Sequence, residues 1–550
     1  MIKWWKSGAP WIWFHGGAVT ISMIMVFGLL MLILVRGFGA FWPHAVLETT
    51  YELPGAEPQQ IIGELRRSET LTAQSMREAG VAVPDEQILV QRHLIKMGNR
   101  DVTGRDFGYF IDDFMEPWRY PKDIAVLERR EWGDFYGQPL RLLEQGEVVA
   151  AGDDLWPAFE ERLRRSNALF DEIRAIERGA IGNVNFRIER VRLDRRRAEL
   201  NDQLTPEREA ELQQRREALQ AEYAVLEQRL NQLYADADRD RIVMLTAGEE
   251  EITIRLADIV KAWQPNAMSL PAKLGFYVGD FFDFIFGYPR EANTEGGIFP
   301  AIFGTVAMVL VMSIIVTPFG VLAAIYLREY AKQGPLLRTI RISVYNLAGV
   351  PSIVFGVFGL GFLVYMVGGQ IDQAFYPEAL PAPTFGTPGL FWASLTLALL
   401  TLPVVIVSTE EGLARIPSTI RQGSLALGAT KAETLWKVVV PLATPAMMTG
   451  LILAIARAAG EVAPLMLVGV VKLAPTLPID GNFPFLHLER KIMHLGFHIY
   501  DVGFQSPHAE AAEQLVYATA LILVLLIVIL NLSAITIRNH LREKYRAESD

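Results

Sequence analysis

Long apolar runs broken by short charged stretches occupy both ends of the chain, and a polar, charge-rich block lies between them. A helix needs about 20 predominantly apolar residues to cross a bilayer. Six runs qualify: about Gly16 to Val35, closed by Arg36, then Ile298 to Leu327, Ile342 to Val367, Leu390 to Ser408, Met447 to Val471 and Leu515 to Ile537. Helices are the expected form, because lipid leaves open backbone groups unsatisfied. Residues 37–295 contain no such run and read as a separate domain.

Within that block, residues 159–240 are dense in Glu, Arg, Leu and Gln. Leu212, Leu219, Leu226 and Leu233 recur every seven residues, and Tyr223 and Leu230 complete a helical apolar seam. Thr205-Pro206-Glu207 has the form of a helix start, with Thr as N-cap and Pro in the first turn. Helices are expected over roughly 155–178 and 188–203, with Gly179, Gly182, Asn183 and Asn185 breaking the pattern between them. The result is an antiparallel hairpin or small bundle, serving either as a docking post for a partner or as a spacer. Alternating runs in 45–150 and 241–262, such as Glu251 to Leu256, suggest strands of one small mixed domain flanking the helices. Residues 267–287, rich in Phe and Leu, read as an interfacial helix. The fold class is therefore an all-α polytopic membrane protein of six transmembrane helices, carrying a large extracytoplasmic α+β domain with a helical hairpin.

Composition agrees with this hybrid: 51% of the 550 residues are hydrophobic, and the mean hydropathy is +0.22. Lys3 and Lys6 precede the first apolar run as in a secretory signal. The run is too long for a signal core, however, and no small-residue cleavage pattern appears before Phe41-Trp42-Pro43. Trp4, Trp5, Trp11, Trp13 and Trp42 read instead as interfacial anchors. Basic residues cluster at 328–341 (Arg328, Lys332, Arg338, Arg341), at 410–446 (Arg415, Arg421, Lys431, Lys437) and in the tail (Arg538, Arg542, Lys544, Arg546). The positive-inside rule places these segments and both termini in the cytoplasm, and residues 37–295 outside. The block contains no cysteine, and a net charge of −10 offers no basic surface for nucleic acid. Membrane lipid is the one partner that composition itself requires.

Residues 410–446 carry Glu410-Glu411, then Gln422-Gly423-Ser424, then Gly428-Ala429 and finally Val438-Val439-Val440-Pro441. A short helix of small residues lets another protein approach closely, Gly428 permits a tight turn, and Pro441 is expected to end the second short helix. Such a segment forms a rigid knob. The chain has no Gly-x-x-x-x-Gly-Lys-Ser/Thr phosphate cradle, so this chain is expected to bind no cofactor, and a nucleotide site would be on another chain.

The fifth run contains Arg457-Ala458-Ala459-Gly460-Glu461-Val462-Ala463-Pro464-Leu465. Arg457 and Glu461, four apart, are expected on one helix face near the middle of the span. A charge at that depth costs roughly 2.5 to 3.5 kcal/mol and usually marks a pathway, and a guanidinium offers paired donors to an oxyanion. A purely structural ion pair satisfies the same pattern. His494 and His498 have i, i+4 metal spacing near His487, but only Glu489 is at hand as a third ligand. A surface amphipathic helix and no metal are expected.

These motifs carry a resemblance. The segment from Gly428 through Val438, Val440 and Pro441 resembles the "EAA" loop of ABC importer permeases, with Gln422-Gly423-Ser424 in place of Glu-Ala-Ala. Thr317 to Tyr330, Val350 to Gly356 and Gly460-Glu461-Val462-Ala463-Pro464-Leu465 resemble the PstA family of phosphate-specific ABC transporter permeases across about 298–537, with Val462 where that family usually has Thr. The resemblance implies a type I importer core at 296–537. It implies that Glu411, Gln422, Gly423, Ser424, Gly428, Ala429, Val438 and Pro441 couple to a cytoplasmic ATPase dimer holding ATP and Mg, and that Arg457 and Glu461 lie on the substrate path. A sister permease and a periplasmic phosphate-binding protein complete the implied assembly in the inner membrane. The competing readings are a permease for molybdate or sulfate, and a membrane-anchored sensor or scaffold.

Overall fold

The first apolar run is the middle of a longer helix, α1 (Ala9–Gly39), with a proline in its first turn. The computed structural model describes residues 7–78, 88–505 and 509–547. The anchors expected at Trp4 and Trp5, with Lys3 and Lys6, lie outside the described residues. The chain divides into two compact units, Met1–Ala40 with Ile298–Asp550, and Phe41–Gly297.

In the Phe41–Gly297 unit, β1 (Val46–Tyr51), β2 (Gln59–Thr72), β3 (Leu89–Lys96) and β4 (Phe107–Ile111) form an antiparallel meander in chain order. A second antiparallel sheet has the order β10-β5-β6-β8-β9, from β5 (Ala125–Arg129), β6 (Asp134–Glu144), β8 (Asp240–Leu245), β9 (Glu251–Arg255) and β10 (Ile259–Trp263), and β7 (Glu147–Ala151) also pairs with β6. Strands from both sides of the helical block therefore share one sheet. Alternate residues Leu127, Phe135, Leu142, Ile242 and Met244 point to one face, where they bury Leu155, Phe159 and Leu163 of α2 (Leu155–Arg174).

The expected break at Gly179 and Gly182 does not occur. The chain passes from α2 through a π-helical stretch, Ala175–Ile181, directly into α3 (Gly182–Leu200). A wider turn absorbs the mismatch. Ile173 and Ile176 pack on Leu230 and Leu233 of the returning helix α4 (Pro206–Ala237), and exposed ion pairs flank the glycine region, Arg229 to Glu172 at 2.7 Å before it and Arg187 to Glu222 at 2.5 Å after it. These pairings run in opposite sequence directions, so the hairpin is antiparallel. The Thr205 hydroxyl accepts from the Arg208 amide at 3.2 Å and caps α4. Of the heptad leucines, Leu212 and Leu233 are buried while Leu219 and Leu226 are half-buried. The unit's last helix is α5 (Leu270–Phe286).

The other unit continues with α6 (Phe299–Ile325), the amphipathic α7 (Pro335–Leu347), α8 (Ser352–Phe358), α9 (Leu390–Ala414), α10 (Ser418–Ala426), α11 (Val440–Gly460), the short α12 (Leu465–Val468) and α13 (Leu495–Tyr500), and α14 (Ala509–Ala547). Six helical runs among the described residues are long and apolar enough to cross a membrane: Pro10–Gly39, Phe299–Tyr330, Ser352–Phe375, Leu390–Ala414, Lys431–Gly460 and Glu513–His540. The third differs from the expected Ile342 to Val367. Pro351 cannot continue a helix from α7, because it lacks an N–H and its ring meets the preceding turn, and its ψ of 135° is extended. Residues 342–347 accordingly belong to α7, and the span starts at Ser352.

Met308, Met312, Leu397, Leu400, Ala454 and Ala458 form the centre of this unit's core, bringing α6, α9 and α11 together. Close approach depends on small residues. A Cβ at Gly450 of α11 would be 2.6 Å from the Ser408 Cβ of α9, and one at Gly320 of α6 would be 2.6 Å from the Val405 Cγ1 of the same helix.

Candidate functional site

The segment between the fourth and fifth spans is more helical than a loop. α9 runs on to Ala414, three residues intervene, and α10 follows. Gly428 then takes φ +90°, a left-handed conformation that a side chain disfavours. Thr430 starts the next helix with a capping box: its hydroxyl accepts from the Glu433 amide at 3.2 Å, and the Glu433 carboxylate accepts from the Thr430 amide at 3.0 Å. Ser424 and Thr434 hydrogen-bond across the turn at 2.8 Å, locking the two helices together.

Pro441 does not end the second helix as expected. Helix continues through it from Lys431 to Gly460, because a π-helical stretch, Leu435–Val439, ends one residue before the proline and relieves its missing bond and ring clash. The fold gathers Gln422, Gly423, Ser424, Gly428 and Ala429 on the α10 turn, while Val438 and Pro441 are half-buried one helix further on. Glu411 is not among them: it is exposed at the end of α9 and faces Arg415 at 4.0 Å. The turn presents Leu427 at 91% exposure, with Trp436, Leu425 and Ile420 also exposed. No atom lies within 4 Å of a Cβ built at Gly423 or Gly428, so this face is open.

Two ion pairs that brace this knob were not identified from the sequence. Arg421 donates to Glu329 at 2.9 Å and to the carbonyls of Ile416 and Leu413 at 2.7 Å each. Arg341 pairs with Glu410 at 2.5 Å. The sequence had placed Arg421 and Arg341 only as cytoplasmic charges. Their shared signal was an acid in each facing segment, Glu329 and Glu410.

Arg457 and Glu461 are brought together, at 3.4 Å between Nε and Oε1, and both are partly accessible. Their setting differs from the expected mid-helix face. α11 stops at Gly460, and Glu461 is extended at φ −78°, ψ 133°. The cause is Pro464: a helix through it would need its missing N–H to bond the Gly460 carbonyl, where its ring clashes. The pair therefore straddles a helix end, followed by α12. The break is held from two sides. A Cβ at Gly356 of α8 would be 2.7 Å from the Pro464 Cα, and one at Gly496 of α13 would be 2.6 Å from the Val462 Cγ2. Broken helices of this kind, with polar groups at the interruption, are where transporters place their substrate sites. A half-exposed guanidinium held loosely by a carboxylate can exchange that partner for a tetrahedral oxyanion.

The histidines are not on a surface helix. His494 and His498 are buried against α6, where the Leu495 amide donates to the Thr305 hydroxyl at 3.0 Å. Apolar Leu495 and Phe497 draw the segment inward. His487 is buried between Asp480, at 2.9 Å, and Glu489, at 3.2 Å. Among the described residues no group of three metal-ligating side chains is assembled.

Spans packed through small residues, a capped helical knob between the fourth and fifth of them and a broken helix bearing Arg and Glu are the features on which the comparison with known proteins bears. Residues 316–547 match the family described as "Binding-protein-dependent transport system inner membrane component". The phosphate transport system permease protein PstA of Mycobacterium leprae is 36% identical over 225 residues, covering 40% of this chain and 68% of that protein. PstA 1 of Mycobacterium tuberculosis strain H37Rv is 33% identical over 244 residues, covering 44% and 70%. PstA of Yersinia pestis is 32% identical over 247 residues, covering 45% and 74%.

The chain belongs to the PstA family of phosphate transport permeases. It is the permease subunit of an ABC phosphate importer, a multi-pass inner-membrane protein and a transport subunit. Its family works with an ATPase, a substrate-binding protein and a sister permease.

Proposed function

We propose that phosphate passes this subunit at the interruption after α11, with Arg457 as the anion-binding group and Glu461 as the group that holds Arg457 when no phosphate is present. The observation that carries this is the helix end at Gly460, which leaves the pair accessible instead of buried in helix packing. A tetrahedral dianion matches the planar donor pairs of a guanidinium. Entry of phosphate would break the weak 3.4 Å contact, and Glu461 would then repel the anion onward.

The knob of Gln422, Gly423, Ser424, Gly428 and Ala429, with exposed Leu427 and Trp436, is the docking element for a PstB-like ATPase dimer, which holds the ATP and Mg. Arg421 and Arg341 would carry its displacement to the ends of the spans. A PstC-like sister permease and a PstS-like binding protein complete the complex. Both termini are cytoplasmic and the 41–297 unit is periplasmic, a reading supported by the basic loops at 328–341 and 410–446. The hairpin α2–α4 serves there as a spacer or docking post.

The test is ATP hydrolysis by the complete complex in proteoliposomes, with the binding protein loaded with phosphate, sulfate or molybdate. Stimulation by phosphate alone is expected. Equal stimulation by sulfate or molybdate would contradict the substrate reading, and no stimulation by any of them would contradict the coupling reading.

A further inference from the structure

Helix α5 has two faces of different character. Its inner face is packed: Phe276 lies 4.8 Å from Trp263, Phe281 and Phe284 lie 5.4 and 5.2 Å from Phe41, and Tyr277 lies 6.1 Å from Trp42. Asp280 on this side accepts from Lys261 at 2.8 Å. Its outer face carries Leu270, Leu274, Val278, Phe282 and Phe286, exposed by 70, 54, 50, 52 and 63%. Steps of four residues place these side chains along one side of a helix. A Cβ at Gly275 or Gly279 would meet nothing within 4 Å. The one acid at the edge, Asp283, is paired with Lys261 at 2.5 Å. Soluble surfaces rarely leave so continuous an apolar face uncovered.

We propose that this outer face of α5 lies in the surface of the lipid bilayer, making α5 a membrane-lying helix that seats the 41–297 unit. The covalent chain supports lipid as the occupant. Phe41, which packs on the middle of α5, follows Gly39, the end of the first span. Two residues of chain reach at most about 7 Å, so Phe41 is tethered to the membrane boundary whichever way the two units are oriented. From Phe286 the chain leads on to a second span at Phe299. Trp42 and Tyr277, packed together at this end, are the residue types that sit at headgroup depth. An amphipathic helix with one aromatic-rich apolar side lies in the interface and does not cross it.

The chain contains no cysteine, so a single introduced cysteine is its only thiol, and the partner subunits are used with their own cysteines replaced. Nitroxides at Val278→Cys and Gly279→Cys, the latter projecting into open space, would be read in the complete complex in nanodiscs of phosphatidylethanolamine and phosphatidylglycerol. Val148→Cys, on exposed β7, is the aqueous reference. Both α5 positions are expected to show a several-fold higher ratio of oxygen to nickel-chelate accessibility than the reference. A ratio equal to the reference means water covers the face and overturns the proposal. Exclusion of both reagents means a protein partner covers it, and overturns it equally.

Discussion

Arg421 of α10 and Glu329, at the C-terminal end of the second span's helix, form a 2.9 Å ion pair, although 92 residues separate them in sequence. The same guanidinium donates to the carbonyls of Leu413, in the last turn of α9, and of Ile416, just beyond it, and the Lys431 ammonium donates to the Glu329 backbone carbonyl at 2.5 Å. One side chain thus ties the knob to two spans. Arg421→Ala is expected to destabilise the subunit by about 2 kcal/mol, the cost of charged hydrogen bonds left unmade. It should lower phosphate uptake per ATP hydrolysed more than ATP hydrolysis itself. A double-mutant cycle with Glu329→Gln, read by thermal unfolding, should give strong coupling; additive losses would show that the two residues act independently.

Gly428 holds φ +90° in a turn open to solvent. Replacement by a β-branched residue is therefore a backbone problem, costing roughly 1 to 2 kcal/mol in the left-handed region. Gly428→Val is expected to cost the complex its co-purifying ATPase. Gly428→Asn, which tolerates that conformation, should retain most of it. Equal loss in both variants would point to lost space at the docking face and not to turn geometry.

Burial of the His494 and His498 imidazoles lowers their pKa to about 4 from the ordinary 6.5; around His498, Asp501 opposes the shift and Lys472 adds to it. The sign follows from proton counts. As pH falls below about 6.5 the unfolded chain takes up protons that the folded chain refuses until about pH 4. Stability is thus full above that window and declines as pH falls through it. Melting temperature should drop between about pH 7 and pH 5, and His498→Leu should flatten the profile. An unchanged slope in that variant would remove His498 from the account.

The six spans were legible because lipid imposes a length and a composition on each crossing helix. Their ends were not, since hydropathy ignores single prolines: Pro351 moved the third span to Ser352, and Pro464 ended the fifth at Gly460. Both residues stood in the sequence, and helix-breaking chemistry was the available signal. Pro441 misled in the opposite sense, because a π-helical stretch accommodates it. Arg457 and Glu461 were readable as a pair from spacing, but their exposure at a helix end depends on that break. His494 lies in a buried segment whose Leu495 amide bonds the Thr305 hydroxyl across a sequence separation of 190, so its burial was not a local property. The Arg421–Glu329 pair was equally remote, so no local pattern announced it.

The central claim is that Arg457 binds phosphate on the transport path. Its most direct measurement is phosphate uptake by complexes carrying Arg457→Ala and Arg457→Lys, with assembly checked by co-purification of the ATPase. Uptake is expected to be lost in the alanine variant and strongly reduced in the lysine variant, which keeps the charge but not the paired donors, while assembly is unchanged. Normal uptake by an assembled Arg457→Ala complex would contradict the account and return the pair to a role in helix packing.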